Sequence, residues 1–333
     1  MKNTRWFLVL PPEGAARTVA LHTAEAFEKR LGSDTVKVFD SATYYKAYSA
    51  MLRTPDDTMA VDLLNQSLAV ACLDFETSYC FVSALSPVTL FTLNLLRKYS
   101  ITTMHWFSED FHKAQYWKQV LSGYDHFFAI QKGEVETTCQ QMRIPFHYLS
   151  TASTLASLPF RNEERFYDVA FIGLPSSYRI GFLESFVQQG FRLCIAGSGW
   201  NQYHGILDSS IVKNTWINEE ESFDLFLKSK VGLNLSFDDP SHRSDVHISP
   251  RVYDICTAGC YLFSENVPLF REAFPDVEAT LFGNVSDAVS QLKAFLTGRD
   301  FSDSHLEKNR EYVLNSHMYA NRVDSIIATV MKQ

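Results

Sequence analysis

Four short stretches of this chain carry residues whose types and spacing could do chemistry. The first is Ser249-Pro250-Arg251-Val252-Tyr253-Asp254. It joins a capping hydroxyl, a proline suited to a first helical turn, a cation, and an acid one turn in. A helix start of this kind faces an anion with open N–H groups and the positive end of the helix dipole. Arg251 would meet a diphosphate and Asp254 a ribose diol; the plainer alternative is an amphipathic helix whose two charges are solvated. The second is Phe171-Ile172-Gly173, followed by Pro175, Ser176, Ser177 and Arg179. Gly173 lets the backbone approach a ligand closely, and Arg179 near a helix start suits a phosphate. A tight turn with a surface arginine is the alternative. The third is Trp106-Phe107-Ser108-Glu109-Asp110-Phe111-His112. Glu109, Asp110 or His112 could serve there as general base toward a hydroxyl, or Ser108 or Asp110 could cap a helix over 111–122. The fourth is the polar loop 238–247, rich in Asp and His, where His247 or Arg243 would touch a ligand. No metal spacing occurs in it, so no metal is expected.

The elements that must position these residues come in two series. In the first half, strands are expected at Trp6–Leu10, Val36–Phe39, Leu68–Cys72, Tyr79–Val82, Thr102–Phe107 and His126–Ile130. Between them, helical spacing predicts helices over 15–31, most of 41–67, from Pro87 to Tyr99, 111–122 and 133–142. After a Ser/Thr/Ala-rich and then charged linker at 151–165, a second series begins. Strands are expected at Val169–Ile172, Phe191–Ile195, Val231–Leu235 and Cys260–Phe263. Helices are expected over 178–189, 219–228, 250–258, 267–273 and 285–297, with a helical tail from 303. Gly259 is placed as a left-handed helix cap. Strand–helix alternation predicts parallel sheets covered on both faces. In such sheets ligands bind beyond the carboxyl ends of the strands, where the stretches at 106–112 and 171–179 fall.

Bulk properties narrow the function classes. The chain has 333 residues, 46% apolar and 20% charged, which fits two ordinary globular domains. The domains are read as 1–150 and 166–315, with 316–333 a C-terminal helix crossing back to the first. The formal net charge is −8 and no Lys/Arg run stands out, which argues against a nucleic-acid groove. The apolar run Trp6–Leu10 is too short for a signal-peptide core, and no stretch approaches the roughly 18 apolar residues of a membrane span. A cytoplasmic protein is expected, with peripheral membrane contact still open. Cys72, Cys80, Cys139, Cys194, Cys256 and Cys260 read as buried free thiols.

Taken in order, several of these motifs resemble the CgeB-like (spore-maturation protein) glycosyltransferases. In the second half these are Phe171-Ile172-Gly173, Arg179, Gly199-Trp200, Leu233-Asn234, Arg251 to Gly259, Val267-Pro268-Leu269 and His317-Met318-Tyr319-Ala320-Asn321-Arg322. Ser86-Pro87, the run from Leu95 to Ile101 and Trp106 to Asp110 extend the match into the first half. The resemblance implies a GT-B fold, with two Rossmann-like domains whose parallel sheets face a central cleft. It implies a nucleotide-sugar donor held by the second half: Asp254 on the ribose, Arg251 and Arg179 at the phosphates, with Gly173, His247 and Ser249 beside them. The first half would hold a protein, glycan or lipid-linked acceptor. No cofactor and no metal would be needed, since helix dipole and cations stabilise the departing nucleoside diphosphate. The family's ribose-binding Glu is Asp254 here and position 246 is Val, so retention or inversion is left unassigned. Two other readings stand beside transfer: a catalytically silent nucleotide-sugar binder and a sugar-nucleotide epimerase.

Overall fold

The computed structural model of the chain describes residues 4–52, 57–155, 164–240, 247–298 and 303–331. Arg243, Asp245 and linker residues 156–163 lie outside the described residues. The chain forms two units, one of Met1–Thr151 with Tyr319–Gln333, the other of Ala152–Met318.

The first unit runs β1 (Trp6–Leu10), α1 (Ala15–Leu31), β2 (Val36–Asp40), α2 (Ser41–Leu52), α3 (Asp57–Asp74), β3 (Tyr79–Ser83), α4 (Leu90–Lys98), β4 (Thr102–Phe107), α5 (Trp117–Val120), β5 (His126–Ala129), α6 (Glu134–Gln141) and β6 (Phe146–Tyr148). All pairings in its sheet, ordered β2-β1-β3-β4-β5-β6, are parallel. Every residue of β1 and β5 is buried. That is the condition of central strands covered by helices on both faces, and it explains their unbroken apolar runs.

The second unit runs β7 (Tyr167–Ile172), α7 (Ser177–Gln188), β8 (Leu193–Ala196), β9 (Ile211–Lys213), α8 (Glu219–Leu227), β10 (Ser229–Asn234), α9 (Pro250–Thr257), β11 (Tyr261–Glu265), α10 (Phe270–Ala273), β12 (Ala279–Phe282), α11 (Val285–Gly298) and α12 (Asp303–Ser316). Its sheet is also parallel, in the order β12-β11-β10-β7-β8-β9. The last helix, α13 (Tyr319–Val330), belongs to the first unit. It lies against α1 with Val323, Ile326 and Val330 buried.

Three expectations are corrected. Leu68–Cys72 is not a strand but the end of α3. Leu64, Leu68 and Cys72, spaced four apart and fully buried, are one helical stripe rather than alternating strand positions. The helix from Pro87 starts later, at Leu90. Thr89 Oγ1 accepts the Thr92 N–H and caps it, while the Pro87 carbonyl is taken by Asn65 Nδ2. The expected helix 111–122 is only the short α5, because Asp110 closes a turn ahead of it. The strands β6, β9 and β12 were not expected. They are three or four residues long and mostly half-buried, too short for a period to show. The described cysteines are all buried and free. Among the described residues no helix is long and apolar enough to cross a membrane.

Candidate functional site

In the second unit the charged residues gather at the carboxyl ends of β7, β10 and β11. Ile172 ends β7 and Gly173 follows, its N–H donated to the Ala196 carbonyl at 2.9 Å and its carbonyl accepting Trp200 Nε1 at 2.8 Å. Gly197 crosses directly over it: a Cβ there would lie 2.4 Å from the Gly173 oxygen, and φ is +141°. Only glycine fits that crossing. Gly173 in turn underlies two guanidinium groups. A Cβ on it would lie 2.8 Å from Arg251 Nη2 and 3.3 Å from Arg179 Nη1.

The two arginines are held by backbone rather than by acids. Arg179, in the first turn of α7, donates Nε to the Ser236 carbonyl, Nη1 to Leu174 and Nη2 to Leu235, at 2.8–2.9 Å. Arg251, in the first turn of α9, donates Nε to the Ile172 carbonyl and Nη1 to Asn234 Oδ1 at 3.1 Å. Both stand about 5.3 Å from the Phe171 ring centroid. Arg251 Nη2 has no hydrogen-bond partner among the described residues. Neither guanidinium comes within 4.0 Å of a carboxylate there. Burial pulls Arg179 down to about 10. Burial, then the positive charge of Arg179, pulls Arg251 down to about 9, partly opposed by Asp254 and Glu265. Glu265 and Asp238 act on Arg179 from a distance, but among the described residues no acid touches either guanidinium, and two like charges side by side favour an anion between them.

The helix beneath them is built to present that charge. Ser249 caps α9 with Oγ accepting the Arg251 N–H at 3.3 Å, and Pro250 opens its first turn. Gly259 takes the expected left-handed conformation after the last turn, φ +67°. His247 lies two residues before the cap, half-buried. Asp254 sits one turn in, and its Oδ1 accepts Ser153 Oγ and the Thr154 N–H, both at 3.0 Å. Burial pushes its carboxyl up to about 6 although those hydrogen bonds favour the charged form. Glu265, the last residue of β11, was not expected. It is buried, accepts Tyr178 O–H at 2.6 Å and the Ser236 N–H, and so ties α7 to the loop that carries the Arg179 acceptors. An acid ending an apolar strand run is the one local signal that could have found it.

In the first unit, Glu109, Asp110 and His112 follow β4 in a tight turn. Asp110 is engaged locally: Oδ1 accepts the His112 N–H at 3.0 Å, and its carbonyl accepts the Lys113 and Ala114 N–H groups. It therefore caps a turn, not a helix over 111–122. Gln131 pins the same turn through the Phe111 N–H. His112 is exposed, its ring 4.3 Å from that of Phe111. Glu109 is half-buried, and burial, with Asp110 beside it, raises its pKa. Asp110 is thus engaged in the turn itself, while Glu109 is the acid whose carboxyl burial favours in the neutral form. Among the described residues no three His, Cys, Asp or Glu side chains gather as a metal site would require.

The family model described as Glycosyl transferase-like matches residues 179–328. No curated protein sequence matches the chain. Solved structures match along its whole length at low identity. Sucrose-phosphate synthase from Thermosynechococcus elongatus aligns with a TM-score of 0.68 at 10% identity, over 99% of this chain and 98% of that one. The lipopolysaccharide outer core galactosyltransferase WaaB aligns at 0.64 and 12% identity, over 99% and 100%. HepE from Anabaena, solved with UDP and glucose, aligns at 0.62 and 10% identity, over 99% and 100%. The fold is GT-B, with two Rossmann-like units.

Proposed function

We propose that the chain is a glycosyltransferase that moves a sugar from a nucleoside diphosphate donor to a hydroxyl acceptor. One observation carries this reading: Arg179 and Arg251 stand together over Gly173, in the first turns of the capped helices α7 and α9, with no carboxylate in contact among the described residues. A diphosphate supplies the missing negative charge, and Arg251 Nη2 offers it a donor. The Glycosyl transferase-like match begins at Arg179 and includes Arg251 and Asp254, which supports the same reading. HepE was solved with UDP and glucose, a donor chemistry of the proposed kind.

The roles then divide between the units. In the second, the α9 start and the two arginines hold the diphosphate and stabilise it as it leaves. Preorganised charge of this kind acts where negative charge develops and needs no metal. His247, Ser249 and Gly173 line that position. Asp254 takes the ribose hydroxyls, in exchange for or alongside Ser153 and Thr154. In the first unit Glu109 draws the proton from the acceptor hydroxyl. The motif order supports a kinship with the CgeB-like glycosyltransferases, and the action would be cytoplasmic.

The test is a thermal-shift panel of UDP-, GDP-, dTDP- and CDP-sugars. One nucleotide class should raise the melting temperature, because a ligand that binds only the native state stabilises it by mass action. In Arg251→Met the same ligand should bind about 10- to 100-fold more weakly, the worth of one or two charged hydrogen bonds. A flat panel, or unchanged affinity in the variant, sinks the proposal. Release of nucleoside diphosphate only when an acceptor is present separates transfer from donor isomerisation.

A further inference from the structure

A second built feature lies at the carboxyl ends of β3 and β4 in the first unit. Two residues past the end of β3, Leu85 has φ +60°, left-handed backbone that leucine seldom adopts. Its side chain is 41% exposed, so the conformation is not compensated by burial in the core. The turn is fastened on several sides. Ser86 Oγ donates to the Val9 carbonyl at 3.1 Å, and Asn65 Nδ2 to the Pro87 carbonyl at 2.8 Å. The Leu85 N–H donates to Tyr116 Oη at 2.9 Å.

That last bond belongs to a chain whose proton order is determined. Tyr116 Oη lies 3.1 Å from Nε2 of the buried His105, and His105 Nδ1 lies 2.8 Å from the Val82 carbonyl. A carbonyl only accepts, so Nδ1 carries the hydrogen and Nε2 must accept from the Tyr116 hydroxyl. Burial drives the His105 pKa down to about 3, so the ring is neutral and the tautomer stays fixed. The chain starts on the Val82 carbonyl and ends on the Leu85 N–H. It therefore clamps the exit of β3 at both ends through the buried His105 and the half-buried Tyr116. Strained backbone of this kind persists only where its surroundings over-determine it, and it concentrates at ligand sites. On the neighbouring strand, two residues past the end of β4, stands Glu109, close enough to act on the Tyr116 phenol electrostatically.

Resting on the transferase reading, we infer that Leu85 is an acceptor-specificity residue: it offers an apolar surface to the C–H face of a sugar ring whose hydroxyl turns to Glu109, and Tyr116 and His105 are positioning residues that hold it there. A pyranose has an apolar face and a polar rim. An exposed leucine and a half-buried carboxylate that both neighbour one tyrosine complement both. The acceptor is accordingly a carbohydrate.

The experiment uses the full chain and methyl glucoside, methyl galactoside and methyl mannoside as probes. Binding is read by ligand-observed NMR and, with the donor found in the thermal-shift panel, acceptor KM is read by turnover. Leu85→Gly accepts the positive φ and should fold with an undiminished melting temperature. It should bind the glycoside about ten-fold more weakly and leave the donor-induced shift unchanged, while Leu85→Met keeps most of the affinity. Tyr116→Phe retains the ring but releases the turn, and should raise acceptor KM without changing donor KM. Wild-type affinity in Leu85→Gly, equal changes in donor and acceptor KM in Tyr116→Phe, or no glycoside bound by the wild-type chain overturns the inference. Glycoside binding that depends on Leu85 in a chain that binds no nucleotide sugar upholds the sugar contact and sinks the transferase reading alone.

Discussion

At the scale of single residues, the second unit concentrates charge in places that disfavour it. Arg179 and Arg251 lie side by side, and Asp254 and Glu265 are both pushed toward the neutral form by burial. For Asp254 this has a pH signature. Its native pKa is about 6 against an ordinary 3.8, so between those values the native state holds more protons than the unfolded chain. Stability must then fall as pH rises through that window and stay lowered above it. Asp254→Asn keeps an Oδ1 that can accept from Ser153 and Thr154 but removes the ionisation. The melting temperature of this variant relative to wild type should therefore climb between about pH 4 and pH 7. Calorimetric scans across that range check it. A constant difference, or one that shrinks with pH, contradicts the assignment.

At the scale of elements, α9 folds the site and, on the proposed reading, also meets the ligand, and substitutions at its cap can separate the two roles. Ser249→Ala removes the oxygen that satisfies the Arg251 N–H, a loss of about 1 kcal/mol. Ser249→Asp restores a cap and suits the helix dipole, so its melting temperature should match wild type. It also sets a fixed negative charge beside the proposed diphosphate, and donor affinity should drop at least as far as in the alanine variant. Titration calorimetry with the donor decides this; wild-type affinity in Ser249→Asp would remove the anion from the start of α9. The turn after β4 shows the opposite case. There Asp110 uses its side chain and carbonyl on the next turn, which stops a helix and leaves Glu109 as the acid proposed to meet an acceptor.

At the scale of the whole molecule, the chain passes between its units twice, at Thr151–Ala152 and Met318–Tyr319. The crossings are fastened close by. The Ser153 N–H donates to the His317 carbonyl at 3.1 Å, and Arg322 donates to the Ser150 and Thr151 carbonyls at 2.8–3.0 Å. α13 buries its own Tyr319, Val323, Ile326 and Val330, the three aliphatic side chains worth about 1.5–3 kcal/mol each. A chain ending at Met318 should therefore lose several degrees of melting temperature, because α1 loses its apolar cover. Differential scanning calorimetry tests this, and an unchanged transition would show that α13 is dispensable.

Much of this protein was determined by local rules that the sequence alone expresses. β4 and α1 have the bounds their periodicity predicts, and Ser249-Pro250 opens α9 while Gly259 closes it, because caps and left-handed turns depend on neighbours a few residues away. The motifs at 106–112, 171–179 and 249–254 likewise fall at strand and helix ends, as alternation requires. Only the tertiary structure decided what each charged group touches. Asp254 meets Ser153, 101 residues distant, Arg179 meets carbonyls 56 and 57 residues away, and Leu85 is fixed by Tyr116, 31 residues on. Such partners arise when separate strands end side by side in a sheet. Hydrogen-bond occupancy, burial and the resulting shifts in proton affinity depend on that packing, and local spacing does not encode it.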